Sequence, residues 1–407
     1  MNFPDSTTCV IAGGGPAGMV LGLLLARAGV AVTVMEKHAD FMRDFRGDTV
    51  HAGTRRLLDD LGLGEQFARI PQQNIDRISG AASDGSNALA VRRFRTPRRP
   101  VAMVPQWDFL EMLATAGRAE STFRLWRCTE VVGPLRRGGR VVGVRYRGPD
   151  REVRELHADL TVACDGRGSA LRDAMGLRPR EFAVSMDVWW FRLPRQPTDP
   201  PELSGVAHIG HRCTTINRGG YYQIGFRIPK GQDAAMRARG IEALRRDVAT
   251  LVPTLSDRVG ALESLEDVKV LDVRVNRLRR WYADGILFIG DAAHAMSPAG
   301  GIGINLAICD AVAAARIVAG PLRAGTLSAR HLARVQIRRS VPAITIQTVQ
   351  RMMHARTVAL LSSGRANAHL APWPIRALCQ TPLPRMVFRY SITVGVRPER
   401  APAFARR

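Results

Sequence analysis

The first forty residues carry the pattern that most constrains how this chain can fold. An apolar run at residues 8–12 leads into the glycine-rich turn GGGPAG at residues 13–18. A helix is predicted at residues 16–28, and a second apolar run at residues 31–35 ends in Glu36. A strand, a glycine-rich turn, a helix, a strand and an acid in this order predict a βαβ nucleotide-binding unit.

Each glycine of the G-x-G-x-x-G pattern has its own steric task. Gly13 allows the tight turn, Gly15 lets a pyrophosphate approach the backbone, and Gly18 lets the helix pack on the strand. Glu36 is placed to accept both ribose hydroxyls of an adenosine, which disfavours a 2′-phosphate and favours FAD or NAD at this site. The predicted cofactor-binding residues here also include Pro16, Ala17 and Lys37.

A second stretch, late in the chain, has the parts needed to hold an anionic ligand. The short apolar run at residues 286–289 predicts a buried strand and is followed by Gly290 and Asp291. A loop rich in glycine comes next, and helical spacing of apolar residues begins beyond Ile304 and Asn305. The free N–H groups of a helix N-terminus favour negative charge. An ordinary strand, loop and helix with a solvated Asp291 is the alternative.

The middle of the chain changes character near residue 180. Residues 158–164 predict a third buried strand, separate from a hairpin that ends at residues 152–156. Short runs rich in β-branched and aromatic residues follow and predict an antiparallel sheet, closed by one helix at about 234–251. The predicted division is a first nucleotide-binding part (1–180, with 70–105 on the side of the inserted lobe), the inserted lobe (181–275), a second nucleotide-binding part (276–330) and a C-terminal helical region (331–407). The predicted breaks in those last helices lie at Pro342, Pro372, Pro374, Pro382 and Pro384.

The charge of this 407-residue chain is +23 and comes from arginine, because only three of the 59 basic residues are lysines. These arginines are spread along the sequence, which argues against a nucleic-acid-binding face and favours attraction of anionic cofactors or substrates, or loose contact with an anionic membrane. The six cysteines stand singly, without metal-ligand spacing, which indicates a cytoplasmic protein with neither disulfides nor a metal site.

The glycine-rich turn with Glu36, the Asp165-Gly166 pair and the Gly290-Asp291 stretch together resemble the FAD-dependent class A aromatic hydroxylases, the family of para-hydroxybenzoate hydroxylase. The resemblance covers residues 8–320 in order and spacing. It implies an α/β fold, with a doubly wound, Rossmann-like FAD-binding domain, an inserted antiparallel-sheet substrate lobe and a C-terminal helical region. Further cofactor-binding positions implied by the match are Arg46, Gln106, Asp165, Gly166, Asp291, Gly301, Gly303, Ile304 and Asn305.

The resemblance also implies a reaction. NAD(P)H reduces the flavin, O₂ adds at its C4a atom, and the hydroperoxide delivers one oxygen to an aromatic ring. The cofactor carries this chemistry, while the protein contributes placement and exclusion of water. Pro298 and Tyr222 are the predicted residues at the reacting centre, whereas His294 and Cys164 are predicted to be structural.

Tyr221, Tyr222 and Gln223 resemble a substrate-facing strand in that family, but Gly220 stands where a basic residue is expected. The sequence therefore favours a bulky aromatic or polycyclic substrate over a small benzoate. Residues that line such a pocket, or alternatively pack in the core of the sheet, are Trp189, Trp190, Arg192 and Tyr222. Two alternative functions are an FAD-dependent reductase or epoxidase acting on an isoprenoid or quinone at a membrane surface, and a nucleic-acid-associated protein with structural FAD. A monomer or a homodimer is expected.

Overall fold

The computed structural model describes residues 5–42, 47–75, 78–82, 101–199, 203–208, 211–362 and 395–407. In chain order the strands are β1 (Ser6–Ala12), β2 (Val32–Met35), β3 (Gly47–Val50), β4 (Gln73–Ile75), β5 (Ile78–Ala82), β6 (Val101–Pro105), β7 (Phe123–Trp126), β8 (Glu130–Arg137), β9 (Arg140–Arg147), β10 (Val153–Ala163), β11 (Arg180–Phe182), β12 (Met186–Pro194), β13 (Leu203–His208), β14 (His211–Asn217), β15 (Tyr221–Pro229), β16 (Lys269–Leu271), β17 (Val275–Arg277), β18 (Tyr282–Ala283) and β19 (Ile286–Phe288). The α-helices are α1 (Pro16–Arg27), α2 (Ala52–Asp60), α3 (Gly64–Arg69), α4 (Gln106–Arg118), α5 (Ala170–Ala174), α6 (Asp233–Ala238), α7 (Ile241–Leu251), α8 (Ile302–Arg323) and α9 (Ala329–Ser362).

The largest sheet has eight strands, and its central path runs β18-β19-β10-β1-β2-β7. The pairs β19-β10, β10-β1, β1-β2 and β2-β7 are parallel, as a doubly wound nucleotide-binding sheet requires. Ala12 at the end of β1 pairs with Ala163 on one side and Met35 on the other. The three strands therefore end level, and the loops that follow them meet at one edge of the sheet.

Helices α1 and α8 pack together against this sheet in one buried apolar cluster that includes Leu21, Leu25, Ile308 and Val312. Helix α8 is long and apolar enough to cross a membrane by length and composition alone. However, 72% of its apolar window is buried inside the protein, so α8 is the central core helix of the nucleotide-binding part.

A second sheet of six strands, in the order β16-β12-β15-β14-β13-β5, forms the lobe. All neighbouring strands in it are antiparallel except β13 and β5. Alternate residues point to one face, where Trp189, Phe191, Ile224 and Phe226 form a buried core with α7. The other face carries Trp190 and Gln223 and does not contribute to that core.

Two smaller sheets connect these parts. Strands β11 and β17 form a two-stranded antiparallel ladder in which Arg180 pairs with Arg277 and Phe182 with Val275. Strands β3, β6 and β4 form the other small sheet. The α/β fold class with an antiparallel lobe is confirmed, while the boundaries at residues 180, 275 and 330 stay a prediction.

Four predicted elements were wrong in extent. Strand β10 is one long strand, because His157 pairs with β9 on one side and β1 on the other. The helix predicted at 234–251 is broken before Ile241, where Gly240 has φ +81°. Pro342 lies inside the continuous helix α9, whose packing through Ala343 and Ile346 outweighs the proline. Helix α8 begins at Ile302, earlier than predicted. The other predicted proline breaks lie outside the described residues.

The tight turn before β19 gives a test of this packing. Gly285 has φ +75°, and a Cβ there would lie 1.9 Å from the carbonyl oxygen of Val141. We expect Gly285→Ala to lower the free energy of unfolding by about 2–4 kcal/mol through clash and backbone strain. Gly139→Ala is the matched control, because Gly139 has φ +81° but no atom within 4 Å of a built Cβ. We expect Gly139→Ala to lower the free energy of unfolding by about 1 kcal/mol. Equal losses in thermal unfolding of the two variants would contradict the packing described.

Candidate active site

The loops after β1, β2, β10 and β19 meet at the carboxyl edge of the large sheet. They carry the glycine-rich turn, Glu36, Asp165 and Asp291, respectively. Ligands of doubly wound sheets bind outside the carboxyl ends of the strands. The fold thus brings together the three motifs that the sequence separates by more than two hundred residues.

The glycine-rich turn leaves the N-terminus of α1 open. Gly13 has φ +103°, and a Cβ there would lie 2.4 Å from the carbonyl oxygen of Cys164. A Cβ on Gly18 would lie 2.0 Å from the carbonyl oxygen of Gly13, which explains the close packing of helix and turn. At Gly15, by contrast, no atom lies within 4 Å of a built Cβ, and no side chain caps the helix there. Free N–H groups and open space are what a bound phosphate needs.

Glu36 is held rigidly beside this turn. Its Oε2 accepts a hydrogen bond from the Gly14 N–H at 2.9 Å. Its Oε1 accepts the His38 N–H at 3.0 Å and lies 2.8 Å from Nδ1 of the same histidine. The carboxylate is only 2% exposed, so its position is fixed before any ligand arrives. Lys37 beside it is exposed, Pro16 is half-buried and Ala17 is buried.

The Asp165 loop is tied to the Asp291 loop through two arginines. The Arg172 guanidinium donates to the carbonyl of Arg167 at 2.6 Å and to the carbonyl of Ala292 at 3.3 Å. Arg167 in turn lies 3.5 Å from Oδ2 of Asp291. Burial raises the pKa of Asp165, and the Ser169 hydroxyl and the Leu171 N–H only partly offset this.

The N-terminus of α8 is also open, and Asn305 fixes its position. The N-cap Gly301 has φ +59°, and no side chain caps the helix. The Asn305 Oδ1 accepts from the His51 N–H at 2.9 Å and the Thr54 hydroxyl at 2.7 Å, while Nδ2 donates to the Thr49 carbonyl at 2.7 Å. The amide thus anchors α8 to β3 and α2.

Two neighbours of this anchor had no sequence signal. A Cβ on Gly301 would lie 1.8 Å from Oγ1 of Thr49, which instead donates to the Gly301 carbonyl at 2.8 Å. Burial lowers the pKa of His51 to about 4, although a hydrogen bond with the Gly300 backbone opposes this shift. His51 is therefore neutral at pH 7. Both residues are distant from α8 in sequence, so spacing alone does not reveal them.

A buried charge network supports the Asp291 loop from behind. Asp310 on α8 accepts hydrogen bonds from the Gly290 N–H at 3.2 Å, from Nε2 of His294 at 2.6 Å and from Nε of Arg339 at 2.8 Å. Burial opposes ionisation of Asp310, but His294 and Arg339 outweigh it and hold its pKa below the usual value. His294 is buried in this network, in agreement with the structural role predicted for it.

The network extends to the end of the chain. Arg339 donates to the carbonyl of Arg397 at 3.2 Å and lies 3.7 Å from Glu399. Helix α9 and the last residues are therefore coupled to the loop that carries Asp291. The sequence analysis missed this coupling, although an acid within the otherwise apolar stretch at residues 306–315 was a signal for it.

The strand register corrects the prediction for Tyr222. Its side chain lies in the buried core of the lobe with Ile224 and Phe226, on the face that packs on α7. Tyr221 and Gln223 point to the opposite face, because residues alternate along a strand. We therefore withdraw Tyr222 as a residue at the reacting centre. The sequence pattern identified the strand but not which face of it packs on α7.

The other predicted pocket residues divide between the two faces of this sheet. Trp189 is a core residue, 1% exposed, and its Nε1 donates to Asp233 at 2.6 Å. Trp190 is half-buried on the opposite face, where it lies over Gly225. The exposed Arg192 stacks over the ring of Tyr221 at 4.7 Å. Core packing thus holds for Trp189, and Trp190 and Arg192 lie on the face of the sheet opposite α7.

Two further predicted residues, Pro298 and Gln106, lie in the described part of the chain. Pro298 is half-buried, and its carbonyl accepts from the Gly301 N–H at 3.0 Å in the turn before α8. Gln106 is the first residue of α4 and is half-buried. Arg46 lies outside the described residues.

The donor set fits FAD. Two helix N-termini without side-chain caps, a fixed carboxylate and glycines at the points of closest approach suit a dinucleotide with two phosphates. FAD supplies electron transfer from NAD(P)H to O₂ and the oxygen transfer that follows. The site therefore defines a flavin-dependent oxidoreductase.

Comparisons with known proteins identify the family. Residues 6–349 match the family described as FAD binding domain, and the chain belongs to this family. It is 34% identical over 385 residues to 6-methylpretetramide 4-monooxygenase of Streptomyces rimosus, covering 94% of this chain and 90% of that protein. Digeranylgeranylglycerophospholipid reductase 1 of Methanopyrus kandleri is 27% identical, covering 81% of this chain and 84% of that protein.

The fold has solved counterparts as well. The OxyS anhydrotetracycline hydroxylase from Streptomyces rimosus superposes with a TM-score of 0.72 at 23% identity, covering 98% of this chain and 77% of that chain. With the family established, the chain is an FAD-dependent monooxygenase that uses NAD(P)H. The predicted family, fold and cofactors are confirmed.

The buried network gives a prediction about stability. Asp310→Asn removes the carboxylate that balances buried Arg339, so we expect the variant to lose about 3–5 kcal/mol of unfolding free energy. The double variant Asp310→Asn/Arg339→Met should recover most of that loss in thermal unfolding, because no uncompensated charge remains. Arg147→Met is the control, since Arg147 pairs with Glu130 at the surface, where both side chains are 46% exposed. A single variant as stable as the wild type would contradict this account.

Proposed function

We propose that this monooxygenase hydroxylates a polycyclic aromatic substrate that lies against the face of the lobe sheet opposite α7. The observation that carries the proposal is the shape of that face. The half-buried ring of Trp190 lies over Gly225, and Gly220 offers no basic side chain for a small carboxylate. A flat aromatic surface of this kind suits a fused-ring substrate. A relative named for action on 6-methylpretetramide supports the same class.

The overall reaction balances as substrate–H plus O₂, NAD(P)H and a proton giving substrate–OH, NAD(P)⁺ and water. In this proposal Gly13, Gly15, Gly18 and Glu36 hold the ADP part of FAD. The backbone at the N-terminus of α8 faces the flavin, where its dipole favours negative charge on the reduced ring. Pro298 closes the same loop at the reacting centre. The roles of Pro16, Ala17, Lys37, Arg46, Gln106, Asp165 and Gly166 in holding cofactor stay predictions.

The protein's own contribution to the reaction is placement. Asp291 and the N–H groups of α1 and α8 orient the cofactor. The sheet face and the cofactor enclose the substrate between them and exclude water from the reacting ring. No side chain is required as a nucleophile.

A second candidate function, reduction of an isoprenoid at a membrane surface, is favoured by one observation. Helix α9 exposes Ile337, Val341 and Ile344 at helical spacing among arginines. The similarity to a digeranylgeranylglycerophospholipid reductase supports this candidate as well. The weaker identity of that relative, 27% against 34% for the monooxygenase, ranks it second.

The two functions differ in their need for oxygen. NAD(P)H oxidation and O₂ uptake should be measured with and without fused-ring phenols. The proposal predicts that a substrate accelerates both together and yields a product heavier by one oxygen atom. Substrate reduction that proceeds without O₂ would contradict the proposed function and support the second candidate.

The role of Asp291 is tested by FAD content. We expect Asp291→Ala to weaken FAD binding by about tenfold or more, because a charge-supported contact in the cofactor site is lost. Asp284→Ala is the control, since Asp284 is an exposed acid in a nearby turn that pairs with Arg140. Absorbance of the purified variants measures their FAD content, and titration with FAD measures their affinity for it. Full FAD content in Asp291→Ala would refute the assigned role.

We also propose that the protein acts in the cytoplasm. The five cysteines in the described part of the chain are free thiols, which supports a reducing compartment. Loose membrane contact and a monomeric or homodimeric state stay predictions.

A further inference from the structure

Three arginines from separate elements surround one aromatic ring. The guanidinium carbons of Arg180, Arg277 and Arg351 lie 5.3, 5.6 and 4.5 Å from the centre of the Phe182 ring. Arg180 and Arg277 face each other across the β11-β17 ladder, and Arg351 reaches the ring from α9. We call this group the Phe182 arginine cluster.

The cluster has no acidic partner in the described ranges of the chain. Arg277 donates to the neutral amide of Gln347 at 2.8 Å, and none of the three arginines forms an ion pair there. Elsewhere many arginines are paired, as in Arg338–Glu399 and Arg140–Asp284. Burial lowers the pKa of Arg277, and the charges of Arg180 and Arg351 lower it further. Three like charges are thus held together with no compensating charge from these described residues.

Helix α9 links the cluster to the loop that follows Asp291. Gln347, which accepts from Arg277, donates to the carbonyl of Ala295 at 3.0 Å. One turn further along α9, Gln350 bonds the N–H and the carbonyl of Ser297 at 3.1 and 3.0 Å. Helix α9 therefore fixes the segment between Asp291 and Pro298 and carries Arg351 beside it.

We propose that the Phe182 arginine cluster binds the phosphate groups of the reducing nicotinamide dinucleotide. This inference rests on the proposed function, in which NAD(P)H is the phosphate-bearing substrate that must reach the flavin. Guanidinium groups match phosphate oxygens bidentately, and their stacking on Phe182 orients them before binding. The only G-x-G-x-x-G turn is assigned to FAD, so the second dinucleotide needs a separate anion site.

The test uses the FAD-loaded protein with Arg351→Gln, Arg180→Gln and the double variant. Binding of NADPH and NADH is measured directly by calorimetry, and KM and kcat are measured in the turnover assay. Each single variant should raise Kd and KM about tenfold, and the double variant more, because charge-assisted hydrogen bonds to phosphate are lost. The kcat and the FAD content should not change. Arg279→Gln, at an exposed arginine just beyond β17, is the control and should bind as the wild type does.

The two dinucleotides distinguish which phosphate is bound. A loss of affinity for NADPH alone assigns the cluster to the 2′-phosphate. Equal losses of affinity for NADPH and NADH assign it to the pyrophosphate. Inorganic pyrophosphate should compete with the dinucleotide in the wild type and less in the variants. Unchanged Kd and KM in the double variant, with normal wild-type turnover, would overturn this inference alone. A wild type that neither binds nor oxidises NAD(P)H would overturn it together with the proposed function.

Discussion

Two helices present N–H groups without side-chain caps at the same edge of one parallel sheet, and the site depends on this arrangement. The N-cap residues of α1 and α8 are Gly15 and Gly301, and no side chain caps the first turn of either helix. Unsatisfied donors at a helix end need an external partner, and their partial positive charge selects an anion. The diphosphate and the reduced ring of FAD are suitable partners, and Gly15 leaves open space beside the first turn of α1.

The rest of the molecule holds these two helix ends in place. Asn305 fixes α8 to β3 and α2 through both atoms of its amide. On the other side Asp310 joins the Gly290 N–H to Arg339 of α9, and Arg339 bonds the C-terminal segment. The C-terminal region is therefore a support of the cofactor site, and α9 contributes Arg351 to the Phe182 arginine cluster as well.

The sequence predicted those features that depend on local sterics. At Gly13, Gly18 and Gly301 a Cβ would collide with backbone or side-chain atoms. The glycine pattern in the sequence therefore predicts the close packing at these positions. The sequence did not predict the partners of Asn305 and Asp310, because those bonds join residues far apart in the chain. It placed Tyr222 on the wrong face, since a shift of one residue along a strand reverses the direction of a side chain. Packing on α7 decides that register, and no local pattern records it.

The residues that hold the cofactor are different from the residues on the lobe sheet that are proposed to contact the substrate. The cofactor site is set by main-chain donors and glycines, which a family can keep while the lobe sheet changes. In the proposed function the substrate lies on the face of that sheet opposite α7, so single positions such as Trp190, Gly220 and Gly225 decide which ring system fits. A shared flavin site therefore accommodates relatives named as a monooxygenase and as a reductase.

The most direct test of this account is titration of the flavin-free protein with FAD and, separately, with FMN, followed by absorbance and fluorescence. The account predicts one FAD bound per chain and much weaker binding of FMN, because FMN lacks the adenylate part assigned to α1 and Glu36. Equal affinity for FMN, or no binding of FAD, would contradict the claim that the two open helix ends together hold this dinucleotide.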